Sequence, residues 1–506
     1  MFSRVTGAAI RGVAIELVKV ETDISDGLPV FDMVGLLSSE VRESRERVRT
    51  SIKNSGRKLP PKRITVNLSP AGLRKEGGSF DLPIAVGILM AMGVIRQVIN
   101  MEETLIAGEL SLDGRVNSIC GVLPIIIEGK KQGIKNFIIP KDNVREGAIV
   151  DGVHVFGVES LEETEKILNG IVPLRPEYRN IREVYEQYSQ KESIPDFCDI
   201  CGQENLKRAA EIAAAGMHNM LMVGPPGAGK SMLASRIPSI LPKPDLEECI
   251  EITKIYSIAG LLGNKPLMTE RPFRAPHHTV TEKALTGGGS RVKAGEITLA
   301  HKGVLFLDEF AEFRRDAIDA LRQPMENGEI TISRVYGTYR FPARIMLVAA
   351  ANPCKCGYYP DRSRCICTEN EVHRYFSRLS GPVIDRIDIC AGVQPVKVEE
   401  LQKYKKGETS QQIRKRVEAA VFIQKERYRN TDIDFNSELN TNAVKKYCYM
   451  GEKEKALMRR VFEKLGLSAR AYYKIIKVAR TIADLEGSVN IQEKHISEAL
   501  GYRMML

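Results

Sequence analysis

The chain has 506 residues, of which 43% are hydrophobic and 27% are charged, and it contains no low-complexity tract. This length allows two to four domains with cores of their own, and this balance is that of a globular protein. The formal net charge of +10 is compatible with a polyanionic partner. No run approaches the roughly 20 apolar residues that a membrane-spanning helix needs.

The N-terminus and the cysteines indicate a cytoplasmic location. The opening segment MFSRVTGAAIRGVAIELVKVE alternates like a strand, and it carries Arg11, Glu16 and Lys19 where a signal peptide would be apolar. We therefore expect the ten cysteines to be reduced thiols or metal ligands rather than disulfides.

Residues 1–172 form a first predicted region, which mixes short strands with helices. Alternating patterns predict strands over Val13–Val20 and Arg63–Leu68. Helical patterns cover Ser38–Ser55, Asp81–Met92 and Leu123–Gln132. This region is therefore expected to be an α+β domain.

Three further regions follow. Residues 173–195 are charged and rich in tyrosine, which predicts a linker helix. Over 196–396, apolar runs alternate with helical patterns, as is typical of an α/β domain with a parallel sheet. Residues 397–506 are helical throughout and predict a helical lid.

The strand-like run Met220–Val223 leads directly into the sequence GPPGAGKS, and a helical pattern follows. This is the P-loop pattern in its strand–loop–helix context, so a chance glycine loop is a poor alternative. The backbone amides would hold the phosphates of ATP, Lys230 would add a charge, and the Ser231 hydroxyl would bind Mg²⁺. The other predicted ATP-binding residues of the loop are Gly224, Pro225, Pro226, Gly227, Ala228 and Gly229.

Two more apolar runs end in polar residues that ATP hydrolysis needs. In the run GVLFLDEF, the apolar residues end at Leu307 and two acidic residues follow. Asp308 would hold Mg²⁺, and Glu309 would polarise the attacking water. The run IMLVAAAN ends in Asn352. Because parallel sheets bind ligands at the carboxyl ends of their strands, these side chains predict an ATPase. A capped helix start is the alternative for the DE pair.

Two arginines complete the predicted catalytic set. Arg386, in SGPVIDRID, precedes a strand and could project toward the γ-phosphate of a neighbouring subunit. Arg470 lies in the first turn of an amphipathic helix capped by Ser468, where a cation opposes the helix dipole unless an anion binds nearby. For both, the alternative is an ordinary surface arginine.

Taken with these residues, the segments GQENLKRAAEIAAAGMHNMLMVGPPGAGKS, RPFRAPHHT, GEITLAHKGVLFLDEFAEF, SGPVIDRID and LSARAYYKIIKVARTIADL resemble the ComM/YifB family of magnesium-chelatase-like AAA+ ATPases. The resemblance covers essentially the whole chain. It implies a homo-oligomeric ring, a hexamer, with ATP at the subunit interfaces. It also implies that Asn352 is the first sensor, that Arg386 acts on the neighbouring subunit and that Arg470 is the second sensor, on its own or an adjacent site.

The same resemblance assigns a role to residues 331–341, whose alternation around Tyr336 predicts a β-hairpin. In related ring motors a hairpin at this place lines the central pore. Arg334 and Arg340 would contact a nucleic-acid backbone, although a solvated hairpin explains the pattern equally well. The adjacent His277 and His278 have no neighbouring ligands at metal spacing, which indicates a structural role.

The first region resembles the proteolytic domain of Lon proteases, a fold shared with S-five-type ribosomal domains. The segments KEGGSFDLP and GRVNSICGVLP carry this resemblance, which places Ser79 at the nucleophile and Leu123 where a lysine should accept its proton. Lys130 and Lys131 lie two helical turns further on. The resemblance therefore implies a domain without peptidase activity.

The sequence NPCKCGYYPDRSRCIC follows the third strand and carries two C-x-C pairs, which could hold a tetrahedral Zn²⁺. The alternative is four incidental or redox-active thiols. The cysteines concerned are Cys354, Cys356, Cys365 and Cys367. The pair Cys198 and Cys201 has no second pair nearby and is not expected to bind metal.

The resulting functional prediction is an ATP-driven ring motor on single-stranded or branched DNA, which the resemblance connects with branch migration in natural transformation. Two alternatives stay open. The first is a chelatase-type motor that drives metal insertion into a tetrapyrrole through a partner protein. The second is a regulatory protein that uses ATP only to assemble.

Overall fold

The computed structural model describes residues 1–96, 99–173, 175–189, 195–289, 292–334, 337–378, 381–395 and 407–503. The chain divides into two compact units. The first comprises residues 1–191, 245–269 and 331–340, and the second comprises 192–244, 270–330 and 341–506. Two segments from within the predicted 196–396 region thus belong to the first unit.

The elements up to residue 189 all lie in the first unit. The strands are β1 (Phe2–Arg11), β2 (Ala14–Ser25), β3 (Phe31–Val34), β4 (Arg63–Ser69), β5 (Thr104–Ile106), β6 (Glu109–Leu110), β7 (Val116–Asn117), β8 (Asn136–Pro140) and β9 (His154–Val158). The helices are α1 (Ser39–Asn54), α2 (Asp81–Ala91), α3 (Val122–Lys131), α4 (Val144–Gly147), α5 (Leu161–Leu168) and α6 (Ile181–Ser189).

A seven-stranded mixed sheet organises this unit, in the order β3-β4-β2-β1-β5-β8-β9. Strands β1 and β2, in the middle of the sheet, form an antiparallel hairpin in which Ile10 lies opposite Ile15. Helix α2 is buried along its whole length, which explains why its sequence DLPIAVGILMA is apolar on every face. The predicted α+β character of this region is confirmed.

The remaining elements begin at residue 204. The strands are β10 (Met220–Val223), β11 (Phe273–Arg274), β12 (Gly287–Gly288), β13 (Lys293–Ala294), β14 (Val304–Leu307), β15 (Glu329–Arg334), β16 (Gly337–Pro342), β17 (Met346–Ala351) and β18 (Ile389–Gly392). The helices are α7 (Glu204–Gly216), α8 (Lys230–Ile240), α9 (Leu246–Ala259), α10 (Glu282–Thr286), α11 (Glu296–Leu299), α12 (Arg315–Asp319), α13 (Arg322–Asn327), α14 (Glu369–Phe376), α15 (Gly381–Ile384), α16 (Ser410–Arg427), α17 (Thr441–Tyr447), α18 (Glu452–Leu465), α19 (Ala469–Leu485) and α20 (Glu493–Gly501).

A five-stranded parallel sheet, in the order β11-β14-β17-β10-β18, forms the centre of the second unit. Strands β14 and β17 are entirely buried, as expected for parallel strands covered on both faces, so their sequences are continuous apolar runs. In the register of the sheet, Met220 lies opposite Val348 on one side and Ile389 on the other. The carboxyl ends of β14, β17 and β10 therefore lie side by side.

A buried ion pair joins the sheet to the C-terminal helices. The Lys474 ammonium of α19 lies 2.5 Å from Asp388 Oδ1, and the Asn219 backbone N–H donates to Asp388 Oδ2 at 3.0 Å. His218 Nδ1 lies 3.7 Å from the same carboxylate. This network fixes the amino ends of β10 and β18 to α19.

The helical C-terminal region is confirmed, since α16 to α20 account for most of residues 407–503. Among the described residues, no helix combines the length and the apolar character that crossing a bilayer requires.

Candidate functional site

The P-loop sequence forms a turn between β10 and α8, as predicted. Gly229 is the N-cap of α8 with φ of +87°, and Gly227 has φ of +74°, conformations that favour glycine. The first amides of an 11-residue helix thus face the loop, and a helix N-terminus of this kind attracts anions. The remaining loop residues Gly224, Pro225, Pro226 and Ala228 lie between β10 and this cap.

Lys230 is held at the mouth of the loop. Its side chain is only 8% exposed, and its ammonium donates to the Gly224 and Pro225 carbonyls at 2.5 and 2.9 Å and to Asn352 Oδ1 at 3.0 Å. Burial lowers the pKa of Lys230 because the charged form loses hydration, although Asp308 opposes this effect. An anion in the loop would favour the charged form.

Hard oxygen donors meet next to this lysine. The Ser231 hydroxyl donates to Asp308 Oδ2 at 2.6 Å, and Asp308 Oδ1 accepts the Glu309 backbone N–H at 2.9 Å. A hydroxyl and a carboxylate are ligands that Mg²⁺ prefers, so these residues fit a magnesium ion bound together with a nucleotide. The structure brings together Lys230, Ser231, Asp308 and Asn352 from three different strand ends.

Glu309 has an unusual backbone conformation and a partner that the sequence analysis missed. Its φ of +50° lies in the left-handed region, and its Oε2 lies 3.0 Å from His278 Nδ1. The sequence signal for this contact was the segment RAPHHT, which begins in the last residue of the short strand β11 and continues beyond its carboxyl end. Since β11 pairs in parallel with β14, residues after its carboxyl end come near the DE pair.

The four cysteines after β17 form one cluster, in which all four sulfur atoms lie within 4.8 Å of one another. The Cys354 sulfur is 3.8 Å from that of Cys365, and the Cys356 sulfur is 3.6 Å from the Cys365 sulfur. Soft thiolates at this spacing suit a tetrahedral Zn²⁺. This loop also packs on the phosphate loop, because a Cβ on Gly357 would come within 2.7 Å of Pro226.

The two predicted catalytic arginines meet at the opposite end of the sheet. Arg386 is ion-paired with Glu326 Oε1, and Arg470 Nη2 lies 3.6 Å from the same oxygen. They line a cavity of about 580 Å³ that also contains Asn219 and Ile345, the residues preceding β10 and β17. Neither arginine therefore lies beside the phosphate loop of its own chain.

The predicted hairpin is present as β15 and β16, with Tyr336 outside the described residues. Arg334 and Arg340 are exposed. The Arg11 guanidinium lies 5.6 Å from the centre of the Tyr339 ring, so a cation and an aromatic ring meet at the hairpin within the first unit.

In the Lon-like region, Leu123 lies in α3 and is 1% exposed among apolar neighbours. The nearby lysines have other partners, since Lys130 donates to the Asp151 carbonyl at 2.6 Å and Lys131 lies 3.5 Å from Glu128. The structure thus places a leucine at the position expected for the base. The absence of peptidase activity stays a prediction.

Three family models match the chain. They are described as magnesium chelatase, subunit ChlI, over residues 196–401, subunit ChlI of Mg-chelatase over 20–143, and magnesium chelatase, subunit ChlI C-terminal, over 407–503.

Similar proteins extend this finding. The chain is 42% identical over 499 residues to competence protein ComM of Haemophilus influenzae, covering 98% of this chain and 96% of that protein. It is 40% identical over 500 residues to the uncharacterised protein YifB of Escherichia coli, with the same coverage of 98% and 96%. A Lon protease of Buchnera aphidicola is 26% identical over 176 residues, 32% of this chain and 22% of the protease. The chain therefore belongs to the ComM/YifB family of magnesium-chelatase-like AAA+ ATPases.

Proposed function

We propose that this protein is an ATP-hydrolysing ring motor that moves on single-stranded or branched DNA, with branch migration during natural transformation as its process. The observation that carries the proposal is the exposed cationic hairpin β15–β16, which lies in sequence between the strand bearing the DE pair and the strand bearing Asn352. The printed name of a relative, competence protein ComM, supports the choice of process.

The hairpin has the chemistry of a DNA contact. Arg334 and Arg340 are exposed and make no ion pair with another described residue, so both guanidiniums are available to phosphates. Tyr339 supplies a ring on which a base can stack, and Arg11 adds a third cation beside it. Contacts of this kind give affinity that is largely independent of sequence, as a motor on DNA needs.

ATP hydrolysis is assigned to the residues around the phosphate loop. Lys230 and the loop amides would bind the phosphates. Ser231 and Asp308 would hold Mg²⁺, whose charge would offset that of the phosphate oxygens. Glu309 polarises the attacking water, and Asn352, which already contacts Lys230, senses the γ-phosphate.

The arginines support a ring with shared sites. Arg386 and Arg470 lie together at the amino ends of the strands, whereas the phosphate loop follows the carboxyl end of β10. Two ends of one sheet can serve one reaction when subunits pack head to tail in a closed ring. In such a ring, a hexamer by family resemblance, both arginines act on the neighbouring subunit's ATP.

The cysteine cluster is proposed to hold one structural Zn²⁺. Its four sulfur atoms supply the four ligands of a tetrahedral site, and among the described residues no other side chain belongs to the group. Because this loop contacts the phosphate loop at Pro226, the metal would stiffen one wall of the ATP site.

The DNA proposal is tested by ATP turnover and DNA binding at a series of salt concentrations. We expect single-stranded or branched DNA to accelerate turnover. The double variant Arg334→Ala/Arg340→Ala should lose this acceleration. On single-stranded DNA the negative slope of log affinity against log salt should become shallower by about 1.4, since each of the two lost phosphate contacts contributes about 0.7.

A matched control removes the same charge elsewhere. The double variant Arg45→Ala/Arg49→Ala, from exposed positions of α1, should keep the acceleration by DNA. ATP affinity measured on both variants shows whether the nucleotide site is intact. Equal loss in both variants would mean that net charge, rather than the hairpin, is what DNA recognises.

A chelatase-type motor is the second candidate, and the magnesium chelatase models that match 196–401 and 407–503 favour it. In that case no DNA structure would alter ATP turnover at low salt. Turnover would instead respond to a tetrapyrrole or to a partner protein that carries the metal-insertion site.

A further inference from the structure

One carboxylate contacts both arginines that are proposed to act on the neighbouring subunit's ATP. Arg386 Nη2 is ion-paired with Glu326 Oε1, and Arg470 Nη2 lies 3.6 Å from the same oxygen. All three residues belong to the second unit, and all three line the cavity of about 580 Å³ at the amino ends of the strands. Glu326 is none of the residues assigned to ATP hydrolysis.

The orientation of Arg386 depends on Glu326. The Arg386 side chain is only 12% exposed, and its Nη1 donates to the Pro382 carbonyl in the preceding helical turn. Its buried Nε has no hydrogen-bond acceptor among the described residues. Within the described parts of the chain, Glu326 is also the one anion at ion-pair distance from this guanidinium. The carboxylate therefore determines where the free end of the guanidinium points.

The contact with Arg470 joins two helix ends that carry unfavourable charges. Arg470 lies in the first turn of α19, where a cation opposes the helix dipole. Glu326 lies in the last turn of α13, which ends at Gly328 in the left-handed conformation, and an anion there opposes the dipole as well. Since the Arg470 side chain is 61% exposed, the carboxylate is what draws this long side chain toward Arg386.

The charges of the three residues suit a phosphate. Two guanidiniums that approach each other repel unless an anion lies between them. With Glu326 in place, the group of three has a net charge of +1 and still has N–H donors available, because a guanidinium has five and each arginine uses few of them here. Guanidinium groups bind phosphate oxygens strongly through such donors.

We propose that Glu326 is a positioning residue for ATP hydrolysis in the neighbouring subunit, which holds Arg386 and Arg470 together for the γ-phosphate. This inference rests on the proposed role of the two arginines. It predicts a lower kcat with little change in KM for ATP, because Glu326 contacts none of the residues that are assigned to nucleotide binding in its own chain.

Two substitutions grade the loss of the carboxylate. Glu326→Ala removes charge and acceptor, and we expect kcat to fall about 10-fold to 100-fold, as small misplacements of catalytic groups do. Glu326→Gln keeps the size of the side chain and one acceptor oxygen, so a smaller fall of about 3-fold is expected. The control Glu408→Ala removes an exposed carboxylate that pairs with Arg416 in the same unit, and it should leave kcat unchanged. Urea unfolding of each variant shows whether the fold is intact.

Mixed rings separate an effect on the neighbour from an effect within one chain. In rings assembled at random from equal amounts of Glu326→Ala and Glu309→Gln, about one interface in four joins an intact Glu309 to an intact arginine pair. If Glu326 acts on the neighbour, the mixture should reach about one quarter of wild-type turnover. An effect on the chain's own ATP would leave it at about one twentieth or less. The control mixture of Glu326→Ala with Arg386→Ala, which both damage the same face, should stay below about one tenth.

The outcomes distinguish this inference from the function on which it rests. Wild-type turnover in Arg386→Ala would mean that the proposed role of the arginines is wrong. If Arg386→Ala is inactive, two results would overturn the positioning role of Glu326. One is turnover in Glu326→Ala equal to or above wild type, and the other is a mixture with Glu309→Gln that shows no restored activity.

Discussion

Two inactive variants should restore activity to each other when they share a ring. Arg386→Ala removes the arginine at the amino end of β18, and Glu309→Gln removes the proposed base after the carboxyl end of β14. Strands β10 and β18 each have four residues in parallel register, which separates the two ends of the sheet by about 13 Å at about 3.3 Å per residue. One chain's Arg386, tied to Glu326, therefore cannot serve its own ATP.

The expected magnitude follows from counting interfaces. In rings assembled at random from equal amounts of the two variants, about one interface in four joins an intact Glu309 from one subunit to an intact Arg386 from the next. An arginine finger contributes about 10³–10⁵ in turnover, so the separate variants provide almost no background. Turnover of the mixture should reach up to about one quarter of wild type.

The assay is ATP hydrolysis by co-assembled rings whose mixed composition is verified by native mass spectrometry. The control replaces the Glu309→Gln partner by a chain carrying both substitutions, which offers no intact Arg386 and should restore nothing. Mixed rings no more active than either variant alone would refute the shared-site reasoning.

The cysteine cluster and the buried ion pair give two further predictions. Protein purified without a metal-affinity tag should contain about one zinc per chain by elemental analysis, and Cys354→Ser with Cys356→Ser should lose it; metal-free wild type that stays folded and active would contradict the site. Asp388→Asn should reduce the free energy of unfolding in urea by about 3–5 kcal/mol, because it leaves Lys474 buried without its counter-ion, whereas the exposed control Asp385→Asn should change it by less than about 0.5 kcal/mol.

The second of these predictions depends on pH. Burial raises the pKa of Asp388, but Lys474 and His218 outweigh this effect and hold the pKa well below its usual range. A carboxyl whose pKa is depressed in the folded state makes its full contribution to the free energy of unfolding at pH values above its pKa in the unfolded chain, about 3.9. That contribution is lost as the pH falls from there toward the folded-state pKa. The difference between wild type and Asp388→Asn should therefore be constant from about pH 7 to 5 and shrink below about pH 4. A difference that grows on acidification would refute this assignment.

Local patterns in the sequence were sufficient for the nucleotide site. The apolar runs before the phosphate loop, before Asp308 and before Asn352 each indicate a buried strand, and each is followed by residues that the site uses. Parallel strands place their carboxyl ends at one edge, so the meeting of Lys230 with Asn352 follows from three local patterns and one topological rule. The cysteine spacing likewise indicated a compact cluster, because its two pairs are close in the chain.

Only the tertiary structure decided the contacts between residues distant in sequence. His278 reaches Glu309 because β11 is the neighbour of β14, an order that periodicity cannot give. Arg386 and Arg470 share Glu326 only after α19 packs against the sheet. Residues 245–269 and 331–340 leave the parallel-sheet region to join the first unit. Hydrophobic periodicity reports which face of an element is buried, but the neighbour that buries it is selected by packing over the whole chain.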